Sequence, residues 1–240
     1  MLLLKETNPF AQGGNRLCFE HPSEPHQVVK VARPDRGPAW RRARKSYPKR
    51  LLPLSWFDDN AEEHEVMRAI DQHFDDGVYE LVARCYGFVD TDMGPGLVSD
   101  LIRNENGKIA HTLKQYIWDE GYTQDCRNQV KRFVEGWSHL RVPSRDLLLH
   151  NIVAPRAADG SIMRLVVIDG LGSSNLLPFY WLSQRSQANK VQRKIDNMHK
   201  RIEQLLSQRG QSEFPGYHGQ LFHEGEQTPS SSPNDQQDSS

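Results

Sequence analysis

The chain has 240 residues, 37% of them hydrophobic, a mean hydropathy of −0.71 and a net charge of −1 from 30 basic and 31 acidic residues. That length supports about one to two domains with a core of their own, while the polarity implies that part of the chain is not packed. The balanced charge excludes a histone-like nucleic-acid coat. No apolar run approaches the 18 residues that a membrane span needs.

The start, Met1-Leu2-Leu3-Leu4-Lys5-Glu6, has neither a basic n-region nor an apolar stretch of signal length. Three scattered cysteines, Cys18, Cys85 and Cys126, suit neither a disulfide framework nor a zinc site. The expected compartment is therefore a reducing cytoplasm.

In chain order, Asn15 to Glu20 reads as a short strand, His21 to Pro25 as a turn, and His26 to Ala32 as a β-branched strand. From Arg33 to Arg50 there are eight basic residues against one acid, Asp35, and four prolines from Pro34 to Pro53 break the stretch. It reads as a mobile basic insertion over 33–55. From Asp58 to Asp76 the balance inverts to eight acids and one base, Arg68. Within it, Val66, Ala69, Ile70 and Phe74 predict a helix over 60–73, with Asn60 as its N-cap. Tyr79 to Asp90 and Gly96 to Ile102 read as strands around the Met93–Gly96 turn. Leu113 to Ile117 and Gln124 to Leu140 read as helices, and Leu147 to Val153 and Leu165 to Ile168 as short strands. Tyr180 to Gln208 reads as a long helix with Val191, Ile195, Met198, Ile202 and Leu205 in phase. From residue 209 the chain is polar and rich in Gly, Gln, Ser and Pro, which predicts a disordered tail over 209–240. Phe214, Tyr217 and Phe222 are candidates to dock back. This order predicts an α+β fold, with a small antiparallel-sheet lobe over 1–102 and a reduced helical lobe over 103–208.

The chemistry concentrates in Ser144-Arg145-Asp146-Leu147-Leu148-Leu149-His150-Asn151 and Val167-Ile168-Asp169-Gly170-Leu171-Gly172. Asp146 stands five residues before Asn151, and Asp169 ends an apolar strand eighteen residues later. That is a phosphotransferase spacing. Asp146 would accept the proton of a substrate hydroxyl, and Asn151 and Asp169 would hold Mg²⁺ against the phosphates of ATP. Magnesium is a hard cation that takes oxygen donors and keeps water, so two protein ligands suffice. A lone lysine in an apolar strand, Lys30, needs an anionic partner and would reach the α- and β-phosphates. Its expected partner on the following helix is Glu65, with Glu62 in reserve. Gly13 and Gly14 provide a flexible backbone for covering phosphate.

On these residues the chain resembles the YrbL family of bacterial kinase-like proteins, named for the PhoP regulatory network. The resemblance runs from about Pro9 to Lys200. It includes Cys18 to Pro22, the Lys30 strand, Gly96 to Ile102 with Asn106-Gly107-Lys108, and Thr112-Leu113. It continues through Asp146 to Asn151 and Asp169 to Ser174, leading into Leu177-Pro178. The resemblance implies a protein-kinase-like two-lobed fold with ATP and Mg²⁺ as cofactors.

Departures from an ordinary kinase shape the functional expectation. Ser144 stands where kinases have a packing histidine, and Leu148 where protein kinases have a lysine near the transferred phosphate. Asp-Gly-Leu-Gly replaces Asp-Phe-Gly, and no Ala-Pro-Glu element follows. The expected activity is therefore phosphoryl transfer to a hydroxyl of a small molecule or carbohydrate. The alternative is a pseudokinase that acts as a regulatory module with a protein partner. Nucleic-acid or phospholipid binding through Arg33 to Arg50 is disfavoured, because only Trp40 and Tyr47 accompany the arginines.

Overall fold

The computed structural model describes residues 1–172, 179–216 and 218–225. Its first part is a five-stranded antiparallel sheet in the order β1-β2-β3-β5-β4. The strands are β1 (Ala11–Gln12), β2 (Arg16–Glu20), β3 (Gln27–Ala32), β4 (Cys85–Thr91) and β5 (Gly94–Asp100). The twofold alternation of β3 sends Val29 and Val31 to one face, where they pack with Leu4 and Phe19. Val28 falls on the other face with Phe10, Leu101 and Ile109. Lys30 shares the parity of Val28 and lies opposite Cys18 on β2 and Leu97 on β5.

Between β3 and β4 come α1 (Pro38–Ala43) and α2 (Asp59–His73). The basic segment is thus built as a short helix followed by 3-10 turns. It is tied down where Arg41 donates to the Phe57 carbonyl at 2.6 Å and pairs with Asp59. Helix α2 is capped by Asp58, whose Oδ1 accepts from the Asn60 and Ala61 amides at 2.9 and 3.3 Å. The cap expected at Asn60 is therefore corrected to Asp58. Asn60 is buried instead, and its Nδ2 donates to the Lys30 carbonyl at 2.8 Å, fastening α2 to the sheet.

The strand expected over Tyr79 to Asp90 begins only at Cys85. Residues 76–80 form a 3-10 turn capped by Asp75, and Val78 and Val82 are both buried, at helical spacing.

The second part is helical: α3 (Leu113–Glu120), α4 (Gln124–Leu140) and α5 (Gln184–Gln208). Val130, Phe133 and Trp137 on α4 and Val191, Ile195, Met198, Ile202 and Leu205 on α5 enter one core. Stripes of this width are what amphipathic helices bury. A two-stranded hairpin, β6 (Ile152–Val153) with β7 (Val166–Val167), lies in this part. The result is the expected α+β arrangement of a small antiparallel sheet and a reduced helical part. Among the described residues no helix is long and apolar enough to cross a membrane.

The chain after α5 differs from the expected tail. Among the described residues, Phe214 packs edge-on against Trp118, and Leu221 joins the Phe10 cluster. Local composition predicts disorder, but tertiary contacts hold the described residues 209–216 and 218–225. Tyr217, residues 173–178 and residues 226–240 lie outside the described residues.

Candidate functional site

Lys30 sits at the centre. Its Nζ donates to Glu63 Oε1 at 2.6 Å and to the Ile168 carbonyl at 2.9 Å. The side chains of Lys30 and Glu63 are only 7% and 12% exposed. Glu63 therefore takes the role expected of Glu65. Glu65 is 70% exposed and pairs along its own helix with Arg68, while the reserve candidate, Glu62, pairs with Arg145. Helix phase decides this. Glu63 lies three residues after buried Asn60 and four before buried Met67, on the face turned to the sheet, and Glu65 lies off it.

The hairpin brings the two metal candidates together. With Ile152 paired to Val167, the next rung is closed by the Ile168 amide donating to the Asn151 carbonyl at 2.9 Å. Asp169 follows directly. Gly170, at φ 81, donates its amide to Asp169 Oδ1 at 2.6 Å. A Cβ at residue 170 would come within 2.8 Å of Asn151 Nδ2 and 3.2 Å of the Asp146 carbonyl. Glycine here lets the two loops approach as well as supplying the positive φ.

Arg16 on β2 is a site residue that sequence reasoning missed. Its guanidinium pairs with Glu63 on one side and with Asp169 on the other. Burial alone would push the Asp169 carboxyl up, but Arg16 and Lys30 outweigh it and hold it at about 2. Asp169 is thus an ionised carboxylate, and its side chain is 44% exposed toward the cleft.

Asp146 faces the helical part. Arg201 of α5 grips both its carboxylate oxygens, and the Leu147 amide donates to Oδ1 at 3.1 Å. This places a cation beside Asp146, although Leu148 occupies the loop position where a lysine was looked for.

Gly13, Gly14, Lys30, Asn151 and Asp169 line one cleft of about 290 Å³. Its lining combines an apolar group, Phe10, Val28, Leu101 and Ile109, with the charged side chains of Lys30 and Asp169. The donor set suits a hard divalent cation: an ionised carboxylate of Asp169 and the amide oxygen of Asn151.

His150 stacks on His218 at 5.2 Å. Burial first, then His218 and Lys114, pushes the His150 imidazole down to about 4, and burial also lowers His218. An imidazole lowered from about 6.5 stabilises the fold above that pH and loses its contribution as pH falls toward 4. The melting temperature should therefore fall between about pH 6.5 and 4, and His150→Gln should flatten that slope in calorimetric scans.

A model of the family described as PhoP regulatory network protein YrbL matches residues 2–203. "Uncharacterized protein YrbL" of Escherichia coli (strain K12) is 27% identical over 187 residues, covering 74% of this chain and 77% of its own length. The protein of the same description from Shigella flexneri matches with the same identity and coverage. Among solved structures, the chain is similar to Rad53 1-466 in complex with AMP-PNP, at 12% identity and a TM-score of 0.43. That alignment covers 87% of this chain and 48% of the other, so the chain spans about half its length.

Proposed function

The chain belongs to this YrbL family, and we propose that it is a Mg-ATP-dependent phosphotransferase acting on a hydroxyl of a small molecule or carbohydrate. One observation carries the reading. A buried lysine, held by a helix carboxylate and by the Ile168 carbonyl next to Asp169, lines one cleft with Gly13 and Gly14.

In this reading Lys30 orients the α- and β-phosphates, and Glu63 keeps its ammonium extended toward them. The backbone of Gly13 and Gly14 lies over the phosphates. Asp169 and Asn151 hold Mg²⁺. When bound, the metal neutralises charge that develops on the transferred phosphoryl group. Asp146 accepts the acceptor's proton, and Arg201 fixes the orientation of its carboxylate. Arg16 must release Asp169 for the metal, and its guanidinium then faces the phosphate end of the cleft. Catalysis by positioning and charge needs little more than these groups.

The engagement of Asp146 by Arg201 and of Asp169 by Arg16 also favours a second reading, a regulatory module with weak or no turnover. Thermal unfolding separates nucleotide binding from its absence. ATP with Mg²⁺ at about 100 times its dissociation constant should stabilise the protein by roughly 2.7 kcal/mol, a shift of about 5–10 °C. Asp169→Asn should abolish the magnesium-dependent part. No shift with any nucleotide and metal would end the phosphotransferase reading. A shift without turnover over a broad acceptor panel would leave the regulatory one.

A further inference from the structure

The cleft has a wall that its motifs do not supply. After α5 the chain turns back. Arg209 donates to the carbonyls of Trp118 and Asp119 at 2.9 and 3.0 Å. Lys114 lies 4.2 Å from the Phe214 ring centroid and donates to the carbonyls of Pro215 and His218. Residues 218–221 then line the cleft. Thr112 Oγ1 donates to the Gly219 carbonyl at 2.8 Å, the Phe222 amide to the Phe10 carbonyl at 2.7 Å, and the Ile109 amide to the Glu224 carbonyl at 2.8 Å. The Glu224 carboxylate pairs with Lys108 and His111.

These contacts reach the helical part, the segment joining the two parts, and the flank of β1. The crossing point is tight. Gly219 has φ 92, and a Cβ there would lie 2.7 Å from His150 Cβ, so only glycine passes over the loop that carries Asn151. Leu221 lands in the apolar cluster of Phe10, Cys18, Val28, Leu101 and Ile109. His218, Gly219, Gln220 and Leu221 all line the cleft, yet about 290 Å³ remains open behind them. The segment is therefore a wall and not a plug. It also lies beyond residues 2–203, the part matched by the family.

We propose that residues 218–225 form the outer wall of the ligand cleft, and that Leu221 is the residue against which the flat apolar part of the ligand, a nucleobase, packs. The base assignment rests on the phosphotransferase reading, whereas the wall does not. A segment with no regular structure stays ordered only through contacts of this kind, because nothing local offsets its backbone entropy.

Cys18 reports on the wall independently of any nucleotide. It packs in the Leu221 cluster, and burial pushes its thiol up, against Lys30 and Arg16. In the full chain, Leu221→Asp should raise the rate of Cys18 alkylation by iodoacetamide about tenfold, read by peptide mass spectrometry. It should weaken ATP binding with Mg²⁺ about tenfold in calorimetric titration, as loss of one partly buried leucine contact implies. Leu221→Ala, the gentler change, should give intermediate values in both and guards against misfolding. Unchanged alkylation and unchanged affinity would overturn the proposal. A wild-type chain that binds no ATP would end the nucleobase role, and faster Cys18 labelling in Leu221→Asp would still establish the wall.

Discussion

Glu63→Gln is expected to lower the melting temperature by about 6–12 °C, while Glu65→Gln should leave it within about 1 °C. The first change leaves two cations, Lys30 and Arg16, facing each other with their side chains 7% and 12% exposed and their shared carboxylate gone. Removing one partner of a buried pair costs about 3 kcal/mol or more, because the remaining charge has lost both water and its counter-ion. Asp169 offsets part of this through Arg16, but its side chain is half-exposed, so the offset is screened by water. Glu65 makes only an exposed pair with Arg68, and such pairs contribute little. The same two variants should divide nucleotide binding: Glu63→Gln should weaken it at least tenfold, and Glu65→Gln should leave it unchanged. Scanning calorimetry and titration on both proteins check this. Equal effects would return Glu63 to an ordinary structural role.

Glu63 also shows how far the sequence could be read. Lys30, Asn151, Asp169, Gly13 and Gly14 were legible because each is tied to its place by local grammar: an apolar strand, a loop spacing, a strand end, a glycine pair. All five line the same cleft. The partner of Lys30 depended instead on helix phase. Val66, Ala69, Ile70 and Phe74 mark one apolar stripe, but the face turned to the sheet runs through Asn60, Glu63 and Met67. A polar residue at the start of that face hid the phase, since a buried asparagine bonded to the Lys30 carbonyl looks like a cap in sequence. Arg16 and Arg201 left no local signal at all. They meet Asp169 and Asp146 from 153 and 55 residues away, and only the tertiary fold brings them there. The described part of the tail departs from its composition for the same reason. Its polarity predicts disorder, but Phe214, one of the docking candidates, packs on Trp118, and Leu221 finds apolar partners that composition does not reveal.

Asp146→Asn should reduce magnesium-dependent ATP turnover by about a hundredfold to ten-thousandfold, the usual worth of a general base, with the affinity for ATP unchanged. The separation follows from the geometry. Asp146 is turned to Arg201 and is not among the residues lining the cleft that holds Lys30 and Asp169. Arg201→Ala should also leave ATP affinity unchanged and should lower kcat, because the carboxylate loses its bidentate grip and the cation that provides it. Arg201→Lys should recover part of that loss, since a lysine restores the charge but not the fork. If Arg201 acts through Asp146, the double variant Asp146→Asn with Arg201→Ala should be no slower than Asp146→Asn alone. Additive losses would instead assign Arg201 an independent role at the transferred phosphoryl group, where Leu148 provides no charge. Turnover that is absent in the wild type, with ATP binding intact in all of these proteins, would make the Asp146–Arg201 pair a structural clasp between the loop and α5, and the nucleotide a ligand of a regulatory module.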